Sequence, residues 1–276
     1  VLHIRSAILW FEKGKSMTTV LIMVDGLRPD ALAQVAAPSL AGLQARSACT
    51  LQARSVTPSV TLPCHTSIFH SVPPQRHGIV TNQWQAMARP LPGLVEQAKG
   101  AGRRCYFFHN WEPLRDLNRP EALEYSFYLN NCYTLEGDLV IAEQAARTIA
   151  ADRPDFAFVY LGTVDVAGHN HGWMSDAYLR QVERVDQGIG AVLAVLSAEE
   201  TVLLHSDHGG HDRTHGTELP EDMLIPWMIA GPGIRQGHTL SAEISLLDSA
   251  PTLARILQVP AHPHWEGRCV EEIFAH

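Results

Sequence analysis

Three strand-like runs in this chain lead into an aspartate, and each is followed by a turn signal. They are Thr18–Val24 before Asp25, Phe156–Leu161 leading to Asp165, and Thr201–Ser206 before Asp207. Their apolar, β-branched and aromatic content marks them as buried strands, and helical patterns lie between them. Such alternation builds an α/β fold: a mostly parallel central sheet with helices on both faces. In sheets of this kind, ligands collect outside the carboxyl ends of the strands. Three acids at three such ends are therefore expected to converge on one place.

Further elements follow from periodicity. A helix is predicted from about Pro29 to Ala48, with Leu32, Leu40 and Leu43 inward. An edge-like strand is predicted over Arg103–Phe108 after the Gly100–Gly102 turn, and a helix over Leu139–Ala151. The clearest helix has Ser175 as N-cap and aligns Tyr178, Val182, Val185, Ile189, Val192 and Leu196 at three-to-four spacing. Ile225–Ala230 reads as another buried strand, and Asp248 or Ser249 as the cap of a closing helix begun by Pro251. Residues 83–155 carry the weakest pattern and are expected to shape a substrate pocket. No linker bounds them, so residues 17–276 are read as one catalytic domain. Residues 1–16 look unlike the rest and are expected to be a non-native or disordered extension, with Met17 as the native start.

Composition narrows the partners. A net charge of −8 without a basic block argues against a nucleic-acid polymer. No apolar run is long enough to predict membrane insertion. Five scattered cysteines without a Cys-x-x-Cys pair fit reduced thiols, so a cytoplasmic location is expected.

The acids have histidines nearby. Asp165-Val-Ala-Gly-His169 sets a carboxylate and an imidazole four residues apart, on what reads as a short loop turned at Gly168. Alone it fits a Zn²⁺-type ligand pair as well as an Asp–Gly turn with a surface histidine. Asp207-His208-Gly-Gly is sharper, because both side chains reach one ion only if the backbone turns, which the glycines permit. His215, before a glycine, is the choice for a remaining ligand; His211 and His171 read as outer or exposed residues. Thr61, in Ser59-Val-Thr-Leu-Pro-Cys-His65, stands where a helix starts around Pro63, so partial positive charge would fall near its oxygen. It reads as a nucleophile in the company of Asp25 and Asp207, and otherwise as a helix cap. The simplest account of the whole set is a two-metal hydrolytic centre, for which the oxygen and nitrogen donors favour Zn²⁺ over Mn²⁺ or Fe²⁺.

In order along the chain stand Asp25-Gly26, Thr61-Leu-Pro-Cys-His65, His77-Gly-Ile-Val-Thr-Asn82, Asp165-Val-Ala-Gly-His169, Ser206-Asp-His-Gly209 and Trp265-Glu-Gly-Arg268. Together they resemble the type I phosphodiesterase/nucleotide pyrophosphatase branch of the alkaline phosphatase superfamily, from Met17 to the end. The resemblance implies one metal at Asp25, Asp207 and His208 with the Thr61 oxygen. It implies a second at Asp165, His169 and a later histidine, either His215 or one of His238, His262 and His264. It also implies that Asn82 hydrogen-bonds a phosphate oxygen. Leu62 and Cys64 depart from the family's usual Thr-Phe-Pro-Asn-His. The implied activity is hydrolysis of phosphodiester or pyrophosphate bonds in small phosphorylated substrates, through a phosphothreonine at Thr61.

Phosphonate or phosphomonoester hydrolysis on the same scaffold is the alternative, and a degenerate protein that only binds phosphorylated ligands is the non-enzyme reading. Threonine cannot form the formylglycine of sulfatases. An arginine clamp for monoesters has no clear counterpart, although Arg28, Arg76 and Arg213 stand near motifs. Phosphomutases would need larger inserted domains. Trp84, Trp111 and Trp173 are candidates for stacking on a base, though tryptophan more often packs a core or rim.

Overall fold

A computed structural model describes residues 17–275. The expected extension over residues 1–16 therefore lies outside the described residues. The strands are β1 (Thr19–Val24), β2 (Ala48–Arg54), β3 (Cys105–His109), β4 (Tyr125–Tyr128), β5 (Phe156–Leu161), β6 (Thr201–His205), β7 (Leu224–Ala230) and β8 (His238–Thr239). The helices are α1 (Pro38–Arg46), α2 (Thr61–His70), α3 (Pro74–His77), α4 (Leu94–Gly100), α5 (Gly137–Asp152), α6 (Thr163–His171), α7 (Asp176–Ala194), α8 (Pro220–Met223) and α9 (Ser249–Ile256). All eight strands form one sheet in the order β4-β3-β5-β1-β6-β7-β2-β8. Only β7 runs against the others, pairing antiparallel with both β6 and β2.

Period-two alternation sorts the strands' side chains into two cores. Leu21, Met23, Phe156, Phe158 and Leu203 face a layer that holds Ile68 and Phe69 of α2 and Leu253 of α9. Val20, Ile22, Ala157, Val159 and Val202 face the opposite layer, which holds Ile141 and Ile149 of α5 and Val182, Val185 and Ile189 of α7. Burial on both faces explains why these strands read as continuous apolar runs rather than alternating ones. Among the described residues, no helix is long and apolar enough to cross a membrane.

Several expected boundaries shift. The helix predicted over Pro29–Ala48 is two pieces, a 3₁₀ turn at Pro29–Ala33 and then α1. Pro38 is the cause: it bars Ala37 from helical backbone while suiting the first turn of a new helix. The edge-like strand near Arg103–Phe108 is β3, which is interior because β4 covers it. The closing helix starts at Ser249 rather than Pro251. Asp248 holds the N-cap position, as one of the two expected residues, but its carboxylate accepts from the Ser245 and Arg268 amides rather than from the helix's own. Ser175 does cap α7, accepting from the Tyr178 amide.

The loop from β6 to α8 is held by polar contacts. Asp222, fully buried, accepts from His211 Nδ1 at 2.7 Å, Thr217 N at 2.9 Å and Thr217 Oγ1 at 2.7 Å. The Asp222 hydrogen bond raises the His211 pKa above its ordinary 6.5. Burial alone would raise the Asp222 carboxyl, but the bonds from His211 and Thr217 outweigh it and hold it below 3.8.

Two outcomes follow. Ile189→Ala removes a fully buried side chain of α7 and is expected to cost about 2–5 kcal/mol, read as a lower urea midpoint at unchanged slope. For the loop, a pKa raised in the folded state stabilises below the unfolded value, and a depressed one stabilises above it. The His211–Asp222 contribution is therefore full between 3.8 and 6.5, fades as pH rises through the raised His211 value, and fades in acid. The melting-temperature gap between wild type and His211→Ala should shrink on going from pH 6 to pH 9. A gap independent of pH would reject this pairing as an ionic one.

Candidate metal centre

The parallel register levels the ends of three neighbouring strands. Val24 of β1 pairs with Leu161 of β5, and Met23 pairs with His205 of β6. Asp25 follows β1 directly, Asp207 follows β6 by two residues, and Asp165 lies in the first turn of α6 after β5. The three expected acids thus meet at one end of the sheet's centre.

Asp165 and His169 do not sit on a loop. They lie one helical turn apart on α6, which puts them on one face. Asp138 of α5 fixes where that helix begins, accepting from Gly162 N at 2.9 Å, Thr163 N at 3.0 Å and Thr163 Oγ1 at 2.6 Å. Gly168 therefore serves packing rather than a turn. A Cβ there would stand 2.5 Å from the Trp173 ring, and one on Gly210 would stand 2.2 Å from it. Trp173 fills the gap between α6 and the loop after β6, and its indole donates to the Gly26 carbonyl at 2.9 Å. Gly26 itself has φ +69°, a left-handed conformation that turns the chain sharply after Asp25.

Two donor groups result: Asp25 with Asp207 and His208, and Asp165 with His169 and His215. Within each group the donor atoms lie within 4.8 Å of one another. His208 Nε2 is 3.3 Å from Asp25 Oδ1 and 3.5 Å from Asp207 Oδ2. His215 Nε2 is 3.6 Å from Asp165 Oδ1 and 3.2 Å from His169 Nε2. His238, His262 and His264 are in neither group.

Every imidazole in these groups anchors its other nitrogen on a backbone carbonyl: His208 Nδ1 on Gly209, His215 Nδ1 on Ser59, and His169 Nδ1 on Arg213. Donation from Nδ1 leaves Nε2 as a lone pair aimed at the acids. Burial lowers the His208 pKa to about 4; burial and then the His208 ring lower that of His215 to about 3. Both rings are therefore neutral at ordinary pH.

Asp25 and Asp207 are each tethered through one oxygen and open at the other. Asp207 Oδ1 accepts from the Gly26 and His208 amides, and Asp25 Oδ2 accepts the Tyr160 hydroxyl. Asp25 Oδ1, Asp165 Oδ1 and Asp207 Oδ2 are buried without any hydrogen-bond partner. Burial, then the Asp207 and Asp165 charges, push the Asp25 pKa well above its usual range; burial and Asp207 do the same to Asp165. Buried carboxylate oxygens beside imidazole lone pairs, without a hydrogen-bond donor, suit a pair of divalent cations.

Thr61 is the first residue of α2, and its Oγ1 lies 3.2 Å from His208 Nε2. Thr61 caps nothing; Val60 holds the N-cap position. Asn82 borders the same cavity of about 240 Å³ and accepts the Leu62 amide at 2.9 Å, leaving its NH₂ group as donor. Trp111 and Tyr133 line this cavity as well, so residues 83–155 contribute to it while also supplying β3, β4 and α5 to the fold. Trp84 is exposed elsewhere and Trp173 is buried beneath the site. No arginine or lysine is among the described residues lining the cavity. Arg28 pairs with Asp30 and Arg76 with Glu266. His211 binds Asp222 and belongs to neither donor group. Sequence reasoning missed Tyr160, Asp138 and the clamping role of Trp173. The bonds of Tyr160 to Asp25, of Asp138 to Gly162 and Thr163, and of Trp173 to Gly26 join residues more than twenty apart along the chain, and no spacing rule reaches that far.

Comparison with known proteins follows this geometry. Rat ectonucleotide pyrophosphatase/phosphodiesterase family member 1 is 24% identical over 221 residues, which is 71% of this chain and 24% of that protein. A phosphopentomutase of Herpetosiphon aurantiacus is 32% identical over 181 residues, or 64% of this chain and 43% of that one. The chain thus spans about a quarter of the first relative's length and less than half of the second's. Among solved structures, an inactive murine ectonucleotide pyrophosphatase/phosphodiesterase 5 in complex with AMP superimposes with a TM-score of 0.79 at 15% identity, over 94% of this chain and all of that one. The profile of the type I phosphodiesterase / nucleotide pyrophosphatase family matches residues 19–90 and 92–223, and the chain belongs to that family.

Proposed function

We propose that this protein is a metal-dependent phosphodiesterase that cleaves phosphodiester or pyrophosphate bonds in small phosphorylated substrates, with Thr61 as nucleophile. The observation that carries this reading is the pair of donor groups beside a helix-starting threonine, in a cavity without a fixed side-chain cation. Asp25, Asp207 and His208 would hold one divalent ion, and Asp165, His169 and His215 another; the donor set suits Zn²⁺. When bound, the two ions supply the Lewis acidity that favours a deprotonated threonine and the positive charge that offsets three carboxylates and the phosphoryl oxygens.

The chain's own groups do the rest. Thr61 Oγ1 forms a bond to phosphorus while the bond to the leaving oxygen breaks opposite it. The hydroxyl proton is lost and the leaving group takes one up. Water then attacks the phosphothreonine, and the Thr61 oxygen departs and is reprotonated. The Asn82 NH₂ group donates to a nonbridging oxygen, where charge accumulates in a loose transition state. The carbonyl oxygen of Asn82, occupied by the Leu62 amide, holds that group in place. The start of α2 adds partial positive charge beside the Thr61 oxygen.

A diester brings one negative charge to the reacting phosphorus and a monoester brings nearly two. A cavity with no arginine or lysine in its lining supports the diester. The AMP in complex with the murine neighbour supports a nucleotide-sized ligand. Five free thiols support action in a reducing compartment such as the cytoplasm.

Zinc-loaded protein should turn over an aryl phosphodiester faster than the matching monoester, and a monoester preference would reject the diester reading. Thr61→Ala should lose at least about three orders of magnitude in turnover while still binding two metal equivalents by elemental analysis. Unchanged turnover in that variant would remove Thr61 as nucleophile.

A further inference from the structure

The metal cavity has a neighbour. A second cavity of about 280 Å³ shares Cys132, Tyr133, Val166 and Asn170 with it. Helix α6 walls both, because residues step by about 100° around a helix. Asp165 and His169 line the metal cavity alone, Val166 and Asn170 line both, and Thr163, Ala167 and His171 line only the neighbour. The opposite wall is α7, which presents Ala177, Arg180, Gln181 and Arg184 at three-to-four spacing.

This second cavity is charged in the opposite sense to the chain as a whole. Two arginines line it and no acid does, in a protein with net charge −8. Gln181 is buried and already committed, donating to Thr163 Oγ1 at 2.7 Å and Leu135 O at 3.0 Å. Arg184 meets Glu136 at 3.2 Å and donates to Gln181 Oε1 at 2.8 Å. Arg180 makes no salt bridge among the described residues, and its guanidinium is available to a ligand. The metal cavity lacks a cationic side chain, whereas the adjoining one has a spare arginine.

We propose that the second cavity is a subsite for an anionic group carried by the substrate away from the reacting phosphorus, with Arg180 as its principal contact and Arg184 assisting. This rests on the phosphoryl-transfer reading above and narrows its substrate class. The two cavities lie on adjoining faces of α6, and a helix with its side chains is about 10–12 Å across. The second anion therefore stands on the order of 10 Å from the phosphorus. The substrate is a diester or pyrophosphate with a second negative group at that reach. Arginine suits such a group, since its planar fork pairs with carboxylate or phosphate oxygens.

The test is competition against hydrolysis of an aryl phosphodiester by two series of linear alkyl phosphates. One series ends in a carboxylate and the other, matched in length, ends in a methyl group. The carboxylate-ended series should inhibit about tenfold more tightly at spans near 10 Å and lose that advantage at short spans. Arg180→Ala combined with Arg184→Ala, checked for native circular dichroism and melting temperature, should bring the ratio of inhibition constants close to one. Arg180→Lys alone should retain part of the preference. A ratio near one in wild type, or a preference that survives the double replacement, overturns the subsite while leaving the hydrolytic reading intact. If neither series nor inorganic phosphate competes, the phosphoryl centre itself fails and the subsite with it.

Discussion

Three carboxylates at the ends of adjacent strands, each with a buried oxygen that no proton donor reaches, set the terms for everything around them. Like charges at this separation cannot all ionise in a low-dielectric setting unless positive charge joins them. Among the described residues none is supplied at the cavity: the His208 and His215 rings are neutral, and no arginine or lysine lines it. Tethers substitute for it only in part. Asp207 is held by two backbone amides and Asp25 by Tyr160, so each acid keeps its direction without losing its open oxygen. Such an arrangement is costly to fold empty and well prepared for divalent cations, and the family supplies the corresponding chemistry.

The sheet acts as the ruler for this centre. Parallel pairing in register sets the ends of β5, β1 and β6 level, so acids from residues 25, 165 and 207 meet without long loops. Antiparallel β7 lies between β6 and β2, and so brings the end of β2 toward the same region. From there Ser55 donates to the Asp207 carbonyl at 2.5 Å, and the chain runs on into α2 with Thr61 at its start. Thr61 and the acids are thereby positioned by one piece of backbone geometry, and the two-sided apolar core keeps that geometry stiff.

Much of this was legible before any coordinates. Apolar runs ending in Asp25 and Asp207 predicted the sheet end where both acids stand, and the six acids and histidines singled out as ligands fall into the two donor groups. What sequence reading missed has a common physical origin. Asp165-Val-Ala-Gly-His169 looked like a turn because glycine disfavours helix. Its helix forms because Asp138, twenty-seven residues upstream, satisfies the first amides, and Gly168 is small to admit Trp173. Pro38, expected inside one helix, starts another. The sheet covers Arg103–Phe108 because Tyr125–Tyr128 pairs beside it, in a stretch whose own pattern was too weak to assign.

The proximity of His208 and His215 in sequence is explained by how their loop is held. A loop this polar has few apolar side chains to bury, so packing alone would not order it. Instead it closes on Asp222. The Asp222 carboxylate collects His211 and Thr217, its carbonyl accepts the Gly209 amide at 2.8 Å, and Glu221 accepts the Gly210 amide at 2.8 Å. Within the loop, His211 and Thr214 exchange backbone bonds at 2.9 Å. These contacts turn the chain back so that the His215 ring stacks on that of His208, with centroids 3.8 Å apart. One short loop can then serve both donor groups, His208 in the first and His215 in the second. His211, which belongs to neither, contributes by holding the loop that presents them.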